Sequence, residues 1–291
     1  MNPLIAALLG LVEGVTEYLP VSSTGHLILA SHVLGQTGDA ADSFDIVIQL
    51  GAILAVLVHY RRLLSARTAG LLRGDRASVQ LLVALVLGFA PTAVVGLLLR
   101  KKIKALLFGP GPVATALVVG GLVMIAIELL RARTKADAVL TPASPRAGDR
   151  EEAAPAVAAS AGLVGLEHVT PVRALLIGLG QCVSMWPGSS RSMCTIVAGQ
   201  LTGLSTATAA EFSFLLGLPT LGAATIYEAY KSREVLGQMG ALNVVIGLVV
   251  SFLVAWAVIA AFLAYLKRRG LVPFGIYRVV LGVVVFLTFV R

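Results

Sequence analysis

The stretch Gly10-Leu11-Val12-Glu13-Gly14-Val15-Thr16-Glu17-Tyr18-Leu19-Pro20-Val21-Ser22-Ser23-Thr24-Gly25-His26 decides the architecture. It lies in an apolar segment, 4–34, that is too short and too interrupted to span a bilayer, with breaks at Pro20, Ser22, Ser23 and Gly25. A second segment, 171–204, breaks in the same way at Pro187, Gly188, Ser189 and Ser190. Each reads as helix, polar break, helix. Non-helical backbone at membrane depth is tolerated only where protein buries it or where it lines a watery cavity. Two such hairpins therefore point to one shared internal cavity.

The composition around them demands a membrane. Of 291 residues, 57% are apolar and 13% charged, whereas a soluble domain carries about 25% charged residues. Mean hydropathy is +0.91. So few polar groups could not cover a water-soluble globule, and most of the exterior must face lipid. Six segments are long and apolar enough to cross: 43–60, 80–99, 112–130, 211–229, 242–266 and 271–290. The net charge of +8 sits in short clusters between these runs, which is orientation signalling and argues against nucleic acid as a partner. Cys182 and Cys194 both lie in apolar stretches, so neither a disulfide framework nor a metal-thiolate site is indicated. Met1–Gly10 has no Lys or Arg and is read as mature structure rather than a signal peptide.

The two hairpins look like copies. Gly10-Leu11-Val12-Glu13 leads to Pro20-Val21-Ser22-Ser23, as Gly178-Leu179-Gly180-Gln181 leads to Pro187-Gly188-Ser189-Ser190. Phe44, opening the span with Gln49-Leu50-Gly51, follows Pro20 at nearly the distance at which Phe212, opening the span with Leu215-Leu216-Gly217, follows Pro187. The expected fold is thus all-α: six transmembrane helices plus two re-entrant hairpins. The units are a first repeat over 1–132, an inter-repeat linker over 133–170 and a second repeat over 171–291. An odd number of crossings between the copies inverts the second, a recurring way to build an intramembrane site. On the N-terminal side lie Arg100, Lys101, Lys102, Lys104, Lys231, Arg233 and Arg291. The opposite side holds the larger group, from Arg61, Arg62, Arg67, Arg73 and Arg76 to Arg131, Arg133, Lys135, Arg146, Arg150, Lys267, Arg268 and Arg269. The richer side should be cytoplasmic, which puts both termini and the mouth of the first hairpin outside. The linker, with Pro142, Pro145, Pro155 and many alanines, has the composition of a flexible segment.

Chemistry concentrates at the breaks. Glu13 and Glu17, four apart, share one helix face. A charge at bilayer depth costs about 2.5–3.5 kcal/mol even on the lenient scale, so such groups are normally functional or paired. Two acids can share a divalent cation, or one can act as a base while the other holds it, unless both simply sit in interfacial water. Ser22 and Ser23 stand where they would cap a helix or receive a phosphate. His26, a turn beyond, adds a group suited to general acid or base work. In the second break Arg191 needs an anion, and its guanidinium fork matches phosphate oxygens. Ser189, Ser190, Ser192 and Thr195 offer hydroxyls, and Gly188 lets backbone N–H groups approach an anion. Arg191 could equally rest on Glu13 or Glu17 until an anionic substrate opens the pair. Gln49 and Glu211 are expected to brace the hairpins by hydrogen bonds, and Trp186 and Trp256 to anchor or pack. Acids, a nucleophile and a base on one hairpin and a cationic clamp on the other suit phosphoryl transfer on a lipid-borne phosphate. No Walker-type loop is present.

The segments Glu13–His26 and Pro187-Gly188-Ser189-Ser190-Arg191-Ser192-Met193-Cys194-Thr195 resemble the two signature motifs of the bacterial undecaprenyl pyrophosphate phosphatase, or bacitracin-resistance, family. The resemblance extends to Gln49-Leu50-Gly51 and Glu211-Phe212-Ser213-Phe214. It implies removal of the terminal phosphate of undecaprenyl pyrophosphate on the outer face of the bacterial inner membrane, recycling the lipid carrier of cell-wall synthesis. It further implies a divalent cation, Mg²⁺ or Ca²⁺, on Glu13 and Glu17, with Ser23 and His26 near the cleaved phosphate. Ser190, Arg191 and Thr195 would form the phosphate clamp, beside Ser22, Gly188 and Ser189. On this reading Ser23, or a water in its place, attacks phosphorus while His26 exchanges protons. The sequence departs from the pattern at Met193-Cys194, where family members usually carry small residues. Membrane lipids are the expected surroundings, and a homodimer is left open. The rival reading is a transporter or flippase of a lipid phosphate in the same inverted-repeat cavity. A channel would need a ring of like charges or a pore-lining polar stripe that the sequence lacks.

Overall fold

The computed structural model describes residues 1–36, 38–107, 109–140, 162–233 and 240–290, and these are helical with no strand. In chain order the helices are α1 (Pro3–Thr16), α2 (Ser23–Val33), α3 (Asp39–His59), α4 (Arg61–Leu72), α5 (Arg76–Leu107) and α6 (Pro110–Leu140). The second half holds α7 (Pro171–Gln181), α8 (Arg191–Leu201), α9 (Thr206–Lys231), α10 (Ala241–Leu266) and α11 (Val272–Phe289). Six of them, α3, α5, α6, α9, α10 and α11, are long and apolar enough to cross a membrane. Their positions match the six apolar segments of the sequence. Their outward positions are themselves apolar, as at Val245, Val249, Leu253 and Trp256 on α10 and Val280, Val283, Val284 and Leu287 on α11. The chain is a multi-pass membrane protein.

Three elements differ from the sequence reading. The basic stretch after His59 is a helix, α4, with no buried residue. Asp75 caps the next helix, accepting from the Ser78 hydroxyl at 2.7 Å and the Ser78 N–H at 2.9 Å. Those bonds hold its carboxyl below the ordinary aspartate range. The expected linker begins inside α6, which runs to Leu140. It ends in a short 3₁₀ turn, Leu166–His168, anchored by a bridge between Leu163 and Leu204. The middle of the linker, 141–161, lies outside the described residues, as does Arg291.

Packing follows small residues. α1 starts on Pro3 with Asn2 as its cap, the Asn2 amide oxygen accepting from Ile5 N–H at 2.8 Å. It buries Ala6, Leu9, Gly10, Glu13 and Gly14, a stripe with helical spacing, against Gly247, Ser251 and Ala255 of α10. A Cβ on Gly10 would fall 2.5 Å from the Gly247 carbonyl oxygen, the close approach that drives helix association in lipid. α7 meets α5 at the corresponding point, where Gly178 touches the Gly88 backbone. Gly10→Val should therefore destabilise the protein by about 1–3 kcal/mol. Thermal unfolding in detergent would register it as a clear drop in midpoint, and an unchanged midpoint would contradict this packing. The core lies at the centre, where Phe212, Phe214 and Leu216 of α9 meet Ile177, Ile196, Ile259 and Phe262. Tyr18, at the first break, packs edge-on against Phe214 with ring centroids 5.0 Å apart.

Candidate active site

Both breaks are built on one backbone device. Ser22 has φ 76° and Ser190 φ 70°, and among the described residues these are the only non-glycine positions with positive φ. Each such position costs on the order of 1–3 kcal/mol and persists only where the surroundings impose it. Each serine caps the helix that follows: Ser22 Oγ accepts from Gly25 N–H and Ser190 Oγ from Met193 N–H, both at 3.3 Å. This corrects the register read from the motifs. The caps pair Ser22 with Ser190 and hence Ser23 with Arg191, one residue away from the Ser-Ser alignment.

Ser23 and Arg191 are thus the first residues of α2 and α8, and Glu17 joins them. Ser23 Oγ donates to Glu17 Oε2 at 2.6 Å, and Arg191 Nη2 pairs with Glu17 Oε1 at 3.2 Å, all three residues being nearly out of contact with the exterior. Arg191 Nη1 donates to the Ser213 carbonyl at 2.8 Å. Thr195 Oγ1 lies 2.6 Å from Ser213 Oγ and donates to the Arg191 carbonyl at 2.8 Å. Ser192 Oγ donates to the Leu19 carbonyl at 2.9 Å and contacts Ser190 Oγ at 3.0 Å, tying the start of α8 to the first break. Met193 and Cys194 are both buried, and Met193 packs over Gly120 of α6.

Other expected site residues stand apart from this chain of contacts. His26 does not touch Ser23: its Nδ1 is 2.8 Å from the Ser22 carbonyl oxygen and its Nε2 2.6 Å from the Tyr277 hydroxyl. The serine's hydrogen bond goes to Glu17, because the first turn of α2 points Ser23 back at the break and His26 across to α11. The Ser22 hydroxyl is spent on its cap. Thr195 supports Arg191 from behind. Gly188, at φ +93°, presses against the Val113 carbonyl, and its own carbonyl accepts from Arg278 Nη2 at 2.9 Å. Ser189 is buried in the turn, where its N–H donates to the Trp186 carbonyl at 3.0 Å. Nor do Gln49 and Glu211 brace the hairpins: Gln49 accepts from Thr225 on α9 at 3.5 Å. Bracing instead comes from Trp186, whose indole N–H donates to the Pro112 carbonyl at 3.0 Å, and from Ser192.

Arg278, missed by the sequence reading, does most to hold the breaks together. It is 0% exposed. Its Nη1 donates to the Pro20 carbonyl at 3.3 Å, and its Nη2 to the carbonyls of Gly188 at 2.9 Å and Ala116 at 3.1 Å. One guanidinium from α11 thereby satisfies the carbonyls of both breaks, which would otherwise be buried without partners, and ties them to α6. The available signal was an arginine inside the last apolar span, the position at which an ionisable residue is presumed to work.

Glu13 is 0% exposed, and neither of its carboxylate oxygens has a hydrogen-bond partner. A buried carboxylate in that state calls for a proton or a cation. Hard oxygen donors suit Mg²⁺ or Ca²⁺. Among the described residues no three His, Cys, Asp or Glu side chains converge on a metal position. Glu13 with Glu17 therefore fits a cation completed by phosphate oxygens and water, the usual arrangement for Mg²⁺ at phosphates.

The family described as bacitracin resistance protein BacA matches residues 6–284. The undecaprenyl-diphosphatase of Sorangium cellulosum (strain So ce56) is 54% identical over 282 residues, covering 96% of this chain and 84% of that protein. The undecaprenyl-diphosphatase of Sphingopyxis alaskensis (strain DSM 13593 / LMG 18877 / RB2256) is 44% identical over 276 residues, covering 94% and 93%. The chain belongs to the bacitracin resistance protein BacA family.

Proposed function

We propose that this protein is an undecaprenyl-diphosphatase, releasing the terminal phosphate of undecaprenyl pyrophosphate to leave undecaprenyl phosphate. The observation that carries the reading is the Ser23–Glu17–Arg191 chain, in which a hydroxyl, a carboxylate and a guanidinium from two breaks meet. The pyrophosphate draws Arg191 off Glu17, and the fork takes phosphate oxygens while Ser213 and Thr195 hold its other edge and backbone. Glu17, freed of the guanidinium, takes the proton from Ser23 Oγ, or from a water in its place, as that oxygen attacks the terminal phosphorus. The bridging P–O bond breaks, undecaprenyl phosphate leaves, and where Ser23 has attacked a water then frees the phosphate from Oγ. Glu13 and Glu17 would hold a divalent cation, Mg²⁺ or Ca²⁺, which when bound neutralises charge on the pyrophosphate. Gly188 and Ser189 shape the second break, and Ser22 and Ser190 start the helices that present Ser23 and Arg191.

The two hairpins are re-entrant and belong to an inverted repeat, one copy over 1–132 and the other over 171–291. Matching strained serine caps support this, as does the crossed packing of α1 on α10 and of α7 on α5. The termini and the first hairpin's mouth face the outside of the bacterial inner membrane, a reading supported by the larger number of loop cations on the opposite side. A carrier of lipid phosphate needs only the anion clamp, and the hydroxyl–carboxylate pair favours the enzyme. Purified protein in detergent, where no membrane sides exist, should release phosphate from the C55 lipid pyrophosphate. A chelator should reduce that release by at least about a hundredfold, and re-added Mg²⁺ or Ca²⁺ should restore it. Intact protein that releases no phosphate with either ion would overturn the reading; full turnover in chelator would remove the cation from it.

A further inference from the structure

His26 is left out of the Ser23–Glu17–Arg191 chain, and its two ring nitrogens have unlike partners. The Ser22 carbonyl can only accept, so Nδ1, 2.8 Å away, carries the proton. Nε2 is then the lone-pair nitrogen, and it accepts from the Tyr277 hydroxyl at 2.6 Å. The two rings lie within 7° of parallel. Tyr277 adjoins Arg278, whose guanidinium is bonded to both breaks, so the register of α11 fixes the phenol against α2. Tyr277 is 45% exposed, so this pair opens outward, whereas Ser23 and Glu17 are buried.

Resting on the phosphatase reading, we propose that Tyr277 is a further catalytic residue that holds His26 in its Nδ1–H form and relays a proton to it from the attacking water. The phenol proton moves to Nε2 while the phenol oxygen takes a proton from a water, which leaves as hydroxide toward phosphorus. The phenol is regenerated and His26 gains the proton. His26 thereby serves water, and Glu17 serves Ser23. Arg278 on α11 is the cation whose field reaches the imidazole. On the other packed elements, Glu17 is held by Ser23 and Arg191, Glu13 lies on the face of α1 turned to α10, and Asp45 on α3 accepts from Ser31. α6 faces this end of α2 with Val113.

The test uses the full-length protein in detergent. Tyr277→Phe should lower kcat about tenfold at unchanged KM and displace the acid limb of the kcat–pH profile. In a His26→Gln background the same substitution should do nothing more. Nitrogen NMR of labelled histidine should show one imidazole locked as Nδ1–H in the wild type and averaging between tautomers in Tyr277→Phe. Wild-type kcat and pH profile in Tyr277→Phe, an equal loss in both backgrounds, or an unmoved imidazole signal would each overturn the proposal. Should Tyr277→Phe fold poorly, difluorotyrosine at position 277 keeps the shape and acidifies the phenol; it must shift the same limb, and an unshifted limb overturns the proposal. An inactive wild type would instead defeat the phosphatase reading, and the nitrogen spectrum would still decide the tautomer.

Discussion

Arg191→Lys should release phosphate from the lipid pyrophosphate at least about a hundredfold more slowly than the wild type. The charge is kept, so only the fork is lost. In the resting protein one edge of the guanidinium rests on Ser213 while the other reaches Glu17. A single ammonium cannot hold its support and two phosphate oxygens in that geometry. Loss of one aligned donor to a developing charge typically costs a factor of 10²–10³. The effect belongs in kcat as well as KM, because charge on the transferred phosphoryl grows as the bond breaks. Steady-state phosphate release over a range of lipid concentrations in detergent measures both. Near-normal hydrolysis in Arg191→Lys would remove the clamp from the account.

The second large effect lies in stability. Arg278→Met replaces the guanidinium with an apolar chain of similar reach and strands the carbonyls of Pro20 and Gly188, while that of Ala116 keeps its partner within α6. Each buried acceptor left without a partner costs about 1–3 kcal/mol, so a loss of at least about 2 kcal/mol is expected. That is a large share of the 5–15 kcal/mol by which proteins are stable. The lost bonds also release the two breaks from one another, so activity should fall with stability. Arg278→Lys can still donate to one or two carbonyls and should give an intermediate midpoint with partial activity. Thermal unfolding and phosphate release on the same preparations check this. A midpoint in Arg278→Met equal to the wild type would show that the breaks are held by something else.

The parts of the fold that announce themselves in the sequence are those whose physics is local. Each crossing is a long, mostly apolar run, and the two breaks are marked by Pro20 and Pro187 with their serines. α4 escapes such a reading because Arg61, Arg62 and Arg67 dominate its composition while its backbone still closes helical hydrogen bonds. The Ser-Ser letters match the two breaks one residue out of step with their caps, because Ser22 and Ser190 set the start of each second helix. Within the site, Glu17 and Arg191 could be named because a buried charge needs a partner. The hydrogen-bond partners of His26 and Gly188 were not legible, since both lie on α11. Tyr277 lies 251 residues from His26 in the chain. Arg278 sits in a run whose length alone marks it as a crossing, and only the folded arrangement shows that it serves both breaks.

If one pyrophosphate headgroup sits between Ser23, Glu17 and Arg191, a structure of the purified protein with a non-hydrolysable methylene analogue of the lipid pyrophosphate should show it there. Arg191 should have left Glu17 for the phosphonate oxygens, with Ser23 Oγ facing the terminal phosphorus and Glu17 still bonded to Ser23. A headgroup bound elsewhere, with the Glu17–Arg191 pair closed and Ser23 out of reach of phosphorus, would contradict it.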